Sequence, residues 1–182
     1  MKITLTEDHL KLHEIASKDE TRHHLVGVNI DLELKEAAAT DGHALVFLPI
    51  DNIPEESNGA KGFLIPTESC KDLLRLMKKI RIPAVELDID ENLKSISFNY
   101  DGIIHAFKIY NYGNFPDYKQ IVPKYSSNFS VNFNPELLFQ IKKALNKKKN
   151  EGLTLEFSDN KKDTIKVLHK GKLYGCFMPM KD

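Results

Sequence analysis

Few residues in this chain have the types and spacing that chemistry needs. His23, His24, Asp41 and His43 are the nearest approach to a metal or proton-transfer set. The histidines fall on different predicted strands, and no acidic or cysteine partner stands at ligand spacing, so structural histidines are the better reading. Asn58-Gly59-Ala60-Lys61-Gly62 is glycine-bearing, but it lacks the spacing of a phosphate loop and the Lys-Ser/Thr that opens the following helix. Glu55, Glu56, Asp88, Asp90 and Glu91 read as surface acids without a buried pair for general acid and base work. The chain is therefore expected not to be an enzyme and to need no cofactor and no metal. Cys70 and Cys176 lie in apolar segments and read as small core residues in a reducing cytoplasm.

The elements that position these residues can be read from periodicity. Lys2 to Thr6 alternates as a strand, and Thr6 is placed to cap a helix over Glu7 to Lys18. Strands are predicted over His24 to Asp31, Leu34 to Thr40 and Ala44 to Pro49, the last two joined by an Asp41-Gly42 turn. After a loop from Asn52 to Gly62, a strand at Gly62 to Pro66 leads into a helix ending near Arg81. Leu73, Leu74, Met77 and Ile80 share its apolar side, and Lys71, Arg75, Lys78 and Lys79 share the opposite one. Strands at Val85 to Ile89, Ser95 to Tyr100 and Ile103 to Tyr110 complete this round.

A linker over Asn111 to Ser127 precedes a third round. It opens with a strand at Phe129 to Phe133, an Asn134 cap and Pro135 in the first helical turn. Leu137, Leu138, Ile141, Ala144 and Leu145 form the buried side of this helix, with Lys142 and Lys143 opposite. Strands at Leu153 to Phe157, Thr164 to Leu168 and Leu173 to Met178 follow. The fold class is α+β: three βαβββ units of roughly 55 to 65 residues each, with antiparallel sheets packed on helices. Two units can bury each other as one domain, here 1–124, leaving a half domain, 125–182, whose helix and sheet edge are expected to be exposed, covered by another part of the chain or matched by a second copy.

Composition narrows the function classes. Lys plus Arg number 26 and Asp plus Glu 26, so no bulk basic signature of a nucleic-acid binder exists and any such role rests on local placement. The longest apolar runs are too short to cross a bilayer, and the N-terminus carries no secretory signal, so the expected location is cytoplasmic, without a membrane partner.

Four segments, in order, resemble the bacterial sliding clamp, the beta subunit of DNA polymerase III: His24 to Val28, Ala39-Thr40-Asp41-Gly42-His43, Gly113-Asn114-Phe115-Pro116-Asp117-Tyr118 through Pro123, and Met178-Pro179-Met180. The resemblance is to the family's middle domain followed by the second half of its last domain. It implies a DNA-clamp-like fold and a DNA-replication processivity factor that tethers DNA polymerase or repair proteins carrying clamp-binding linear motifs. It further implies a hydrophobic peptide-binding groove at Leu25, Thr40, Gly42, His43, Ala44, Leu45, Pro123, Asn134, Leu137, Cys176, Phe177, Met178, Pro179 and Met180. Double-stranded DNA, without sequence specificity, would face Lys71, Arg75, Lys78, Lys79, Lys142 and Lys143, although solubility alone accounts for surface lysines.

Two departures bear on motif preference: Ala44 replaces a basic residue of the family, and Asp182 adds a charge at the end. A homo-oligomer is expected, with a dimer through the unpaired third unit preferred. The alternative is a non-ring relative, acting only as a peptide-binding adaptor or as an inhibitor of a full-length clamp.

Overall fold

The computed structural model describes residues 1–53, 61–90, 94–110, 115–123, 129–145, 152–160 and 162–180. Residues Gly113 and Asn114, most of the 52–62 loop and much of the 111–127 linker lie outside them, as does Asp182. The chain forms two compact units, Met1–Val122 and Pro123–Asp182.

Unit 1 begins with β1 (Lys2–Thr6) and α1 (Glu7–Lys11). Thr6 caps α1 in a capping box: its hydroxyl accepts from the His9 N–H while His9 Nδ1 accepts from the Thr6 N–H at 3.0 Å. The helix is shorter than predicted because its hydrogen bonds tighten at Leu12–Glu14, where the Ile15 N–H reaches the Leu12 carbonyl at 3.0 Å. The strands β2 (Gly27–Asp31), β3 (Glu36–Thr40) and β4 (Leu45–Pro49) follow. β2 starts later than predicted because His23–Leu25 is a single 3-10 turn. The start of β3 is also delayed, since the Asp31 carboxylate accepts from the Glu33 and Leu34 N–H groups and bends the chain. The second repeat is β5 (Gly62–Pro66), α2 (Thr67–Ile80), β6 (Ala84–Ile89), β7 (Ser95–Tyr100) and β8 (Ile103–Lys108).

The two repeats exchange their first strands. One sheet runs β1-β6-β7-β8 and the other β4-β3-β2-β5. Leu5 pairs with Val85 and Ile3 with Leu87, while Ile65 pairs with Val28 and Phe63 with Ile30. The helices α1 and α2 pack together, and both sheets and both helices contribute to one core that includes Ile3, Leu5, Leu10, Val28, Ile30, Phe63, Ile65, Cys70, Leu73, Met77, Val85 and Leu87. Burial of this set supplies the main stabilising term of unit 1, since each fully buried aliphatic side chain is worth about 1.5–3 kcal/mol.

Unit 2 holds α3 (Pro135–Ala144) and a three-stranded sheet in the order β11-β10-β9, with β9 at Thr154–Glu156, β10 at Ile165–His169 and β11 at Lys172–Phe177. Asn134 caps α3 as expected, its Oδ1 accepting from the Glu136 N–H at 3.0 Å, with Pro135 in the first turn. Three expectations are corrected here. Phe129 to Phe133 joins none of the sheets among the described residues, although the Asn132 carbonyl accepts from the Met180 N–H at 2.8 Å. Ala144 is exposed, and none of Leu137, Leu138, Ile141 and Leu145 is fully buried. Cys176 is exposed, because the alternation of β11 turns Phe177 inward and Cys176 outward. Cys70, by contrast, is a core thiol as read, and burial pushes it up to about 12.

Candidate functional site

The residues expected to contact a peptide fall in two sets, one in each unit. In unit 1 they surround the β3–β4 turn. Asp41 Oδ1 accepts from the His43 and Ala44 N–H groups, both at 2.8 Å. These backbone donors, Ala44 first, hold the Asp41 carboxyl below the usual carboxylate range. Gly42 takes φ +90°, the left-handed region that only glycine enters freely. Thr40 is buried, donating its hydroxyl to the Ala44 carbonyl at 2.6 Å and accepting from the Gly42 N–H at 3.0 Å.

Thr40 therefore shapes the turn from inside, while Gly42, His43 and Ala44 are exposed at its tip. Leu45 is half-buried at the start of β4, an edge strand on which Leu45, Val46, Phe47 and Leu48 are all half-buried. Leu25 is buried beneath the preceding loop, its carbonyl bonded by the Ser17 N–H at 2.9 Å. Two clefts of unit 1 lie elsewhere and include none of these residues: one runs from His13 to Glu68 and Tyr110, the other from Asp31 to Tyr118.

A cluster that sequence reading missed locks the linker motif to this sheet. Tyr118 is buried against Phe47, ring centroids 5.7 Å apart, and Phe115 meets it edge-on. The Tyr118 hydroxyl donates to Glu36 at 2.9 Å, and Lys119 bridges the same carboxylate at 2.6 Å while lying over the Phe47 ring. Burial, then the hydrogen bond and charge of Glu36, raise the Tyr118 phenol. The signal available in sequence was a buried-type aromatic inside a polar linker, but its partner lies far back in the chain.

In unit 2, Phe177 is buried, and beyond it Met178 and Met180 are 58% and 53% exposed. Exposed methionines are adaptable apolar surface, suited to binding rather than to core packing. Pro123 and Asn134 are exposed and Leu137 is half-buried on α3.

The basic residues divide by their partners. On α2, Lys71 pairs with Glu68 at 2.6 Å and Arg75 with Asp72 at 2.7 Å, whereas Lys78 and Lys79 are exposed and hold no ion pair among the described residues. All four lie away from buried Cys70, Leu73 and Met77. On α3, Lys143 is exposed, but Lys142 is half-buried and lines an apolar pocket with Pro135, Leu138, Phe139 and Leu153. Among the described residues no group of three or more His, Cys, Asp or Glu side chains is arranged to hold a metal, and no helix is long and apolar enough to cross a membrane.

No family model matches the sequence. Residues of this chain are 30% identical over 115 positions to the beta sliding clamp of Rickettsia bellii, a match spanning 62% of this chain and 30% of that protein. The whole chain superimposes on the DNA polymerase III beta subunit of Borrelia burgdorferi with a TM-score of 0.72 at 25% identity. The chain is similar to the bacterial beta sliding clamps in sequence and in fold. Its fold is the sliding-clamp fold, α+β with antiparallel sheets. The sliding clamp of Bacillus subtilis gives a TM-score of 0.69 at 22% identity, again over the whole of this chain. The chain covers 47% of the Borrelia clamp and 50% of the Bacillus one, about half the length of these relatives.

Proposed function

We propose that the chain is a non-enzymatic, sliding-clamp-like processivity factor that tethers DNA polymerase or repair proteins to double-stranded DNA by capturing their linear motifs in the cytoplasm. The observation that carries this reading is the apolar surface after β11, where Met178 and Met180 stand exposed beyond the buried Phe177. On this reading Met178, Pro179 and Met180 meet the aliphatic and aromatic anchors of an extended peptide, together with Cys176, Phe177, Pro123, Leu137 and, as a polar neighbour, Asn134. In unit 1, Leu25, Gly42, His43, Ala44 and Leu45 serve such a peptide, and Thr40 holds their turn in shape. Lys71, Arg75, Lys78, Lys79, Lys142 and Lys143 serve DNA phosphates without reading sequence.

A fluorescent peptide with a glutamine and hydrophobic anchors is the direct probe. It is expected to bind, and Met178→Glu or Leu45→Glu is expected to weaken it at least about tenfold, roughly 1.4 kcal/mol, with the circular dichroism spectrum unchanged. Unchanged affinity in both variants rejects the groove. Retention on nicked circular DNA and release from the linearised form supports the tether. Peptide binding without retention on either DNA would instead identify an adaptor.

A further inference from the structure

Unit 2 repeats the local structure of unit 1 but leaves uncovered the positions at which the two repeats of unit 1 bury each other. Setting the helix caps Thr6, Pro66 and Asn134 in register aligns the three repeats. Val131 and Phe133 then correspond to Ile3 and Leu5 of β1 and to Phe63 and Ile65 of β5. Leu153 and Leu155 stand as far beyond Asn134 as Val85 and Leu87 of β6 stand beyond Pro66, and Val28 and Ile30 of β2 hold the same places by pairing, facing Ile65 and Phe63 as Val85 and Leu87 face Leu5 and Ile3. Leu138 corresponds to Leu10 and to Cys70. Every one of these unit 1 residues is at most 1% exposed, whereas Val131, Phe133, Leu138, Leu153 and Leu155 are all only half-buried. The apolar pocket against Leu138 and Leu153 lies on this same face.

The backbone agrees with the side chains. In unit 1, β5 is held on its outer edge by a two-way bridge between Leu64 and Tyr110, both bonds 2.8 Å, and on its inner edge by β2. Asn132, which corresponds to Leu64, is held on its outer edge by the Met180 N–H at 2.8 Å. The inner edge has no partner strand among the described residues, and neither does the outer edge of β9.

We propose that unit 2 is completed by unit 2 of a second copy of this chain. About a two-fold axis, residues 131–133 of each copy add antiparallel to β9 of the other, with Phe133 opposite Leu153, Asn132 opposite Thr154 and Val131 opposite Leu155. The α3 helices pack together as α1 and α2 do. The occupant is a second copy because the surface is self-complementary: each unit 2 offers both the strand that the other lacks and the edge that receives it. The register is that of unit 1, where Leu5 faces Val85 and Ile65 faces Val28.

The test is light scattering and disulfide trapping of the full chain at micromolar concentration, in a Cys176→Ser background. The mass is expected to double from 20.8 kDa. Asn132→Cys with Thr154→Cys is expected to give a covalent dimer under mild oxidation, since directly opposed residues fall within disulfide reach. Asn132→Cys with Glu156→Cys, set off by two residues, is expected to cross-link at least about tenfold more slowly. Both pairs lie on exposed positions and leave the core intact. A species that stays at 20.8 kDa, one that gains mass only when a full-length clamp is added, or a dimer that cross-links equally in both registers overturns the proposal.

Discussion

Asp41 and Gly42 divide one turn between two constraints, and each can be tested on its own. Gly42 at φ +90° is strained by any side chain, so Gly42→Ala is expected to cost about 1 kcal/mol in urea unfolding of unit 1. Asp41 acts through charge: two N–H donors favour its ionised form in the folded chain and none does so in the unfolded one. Its folded pKa is therefore the lower of the two, and the stability it adds is present above the ordinary carboxylate pKa of about 4 and lost as pH falls through the folded value. Asp41→Asn is expected to remove that part of the acid dependence, and an NMR titration of the wild-type carboxyl is expected to show a midpoint below the usual range. The two thiols separate as sharply. In the native chain a thiol reagent is expected to modify Cys176 rapidly and leave Cys70 protected until unfolding.

At the scale of elements, the cluster of Tyr118, Glu36 and Lys119 ties the end of unit 1 to β3. Tyr118→Phe keeps the ring against Phe47 but removes the bond to a carboxylate, and is expected to cost about 1.5–3 kcal/mol in urea unfolding. The raised phenol gives a second signature. Its contribution is fully present below the unfolded tyrosine pKa of about 10 and is lost as pH rises beyond it, so wild-type stability is expected to fall in alkali more than that of Tyr118→Phe.

What was legible in the sequence follows the range of the interactions. The caps at Thr6 and Asn134, the Asp41-Gly42 turn and the extent of α2 depend on neighbours within a few residues, and they read correctly. The exchange of β1 and β5 between sheets does not, because period-two alternation assigns a face and leaves the pairing partner open. Phe129 to Phe133 has strand composition but joins no sheet among the described residues, and alternation alone does not supply a partner strand. For the candidate site, the turn residues could be placed from the sequence, and the Thr40 hydroxyl closes that turn locally on the Ala44 carbonyl, but the Glu36 partner of Tyr118 lies 82 residues back and depends on the tertiary fold.

Over the whole molecule, 26 basic and 26 acidic residues cancel, so attraction to DNA must come from where cations stand unneutralised. The ion pairs sort the candidates on α2. Lys71 and Arg75 already have carboxylates within a turn of helix, and moving either to a phosphate exchanges one partner for another with little net gain. Lys78 and Lys79 have no such competitor among the described residues, and they sit in the last turn of the helix, where a positive charge also suits the helix dipole. The proposed pairings with DNA are thus unequal. Lys78→Ala with Lys79→Ala is expected to weaken retention on nicked circular DNA and to lower the log–log salt slope by about 1.8, at roughly 0.9 for each phosphate that is no longer neutralised. Lys71→Ala is expected to change the slope by much less, because Glu68 is released as the lysine is removed. Filter retention across a salt series measures both, with peptide binding as the control for folding. Equal slopes for wild type and the Lys78/Lys79 double variant would remove α2 from the DNA-facing surface.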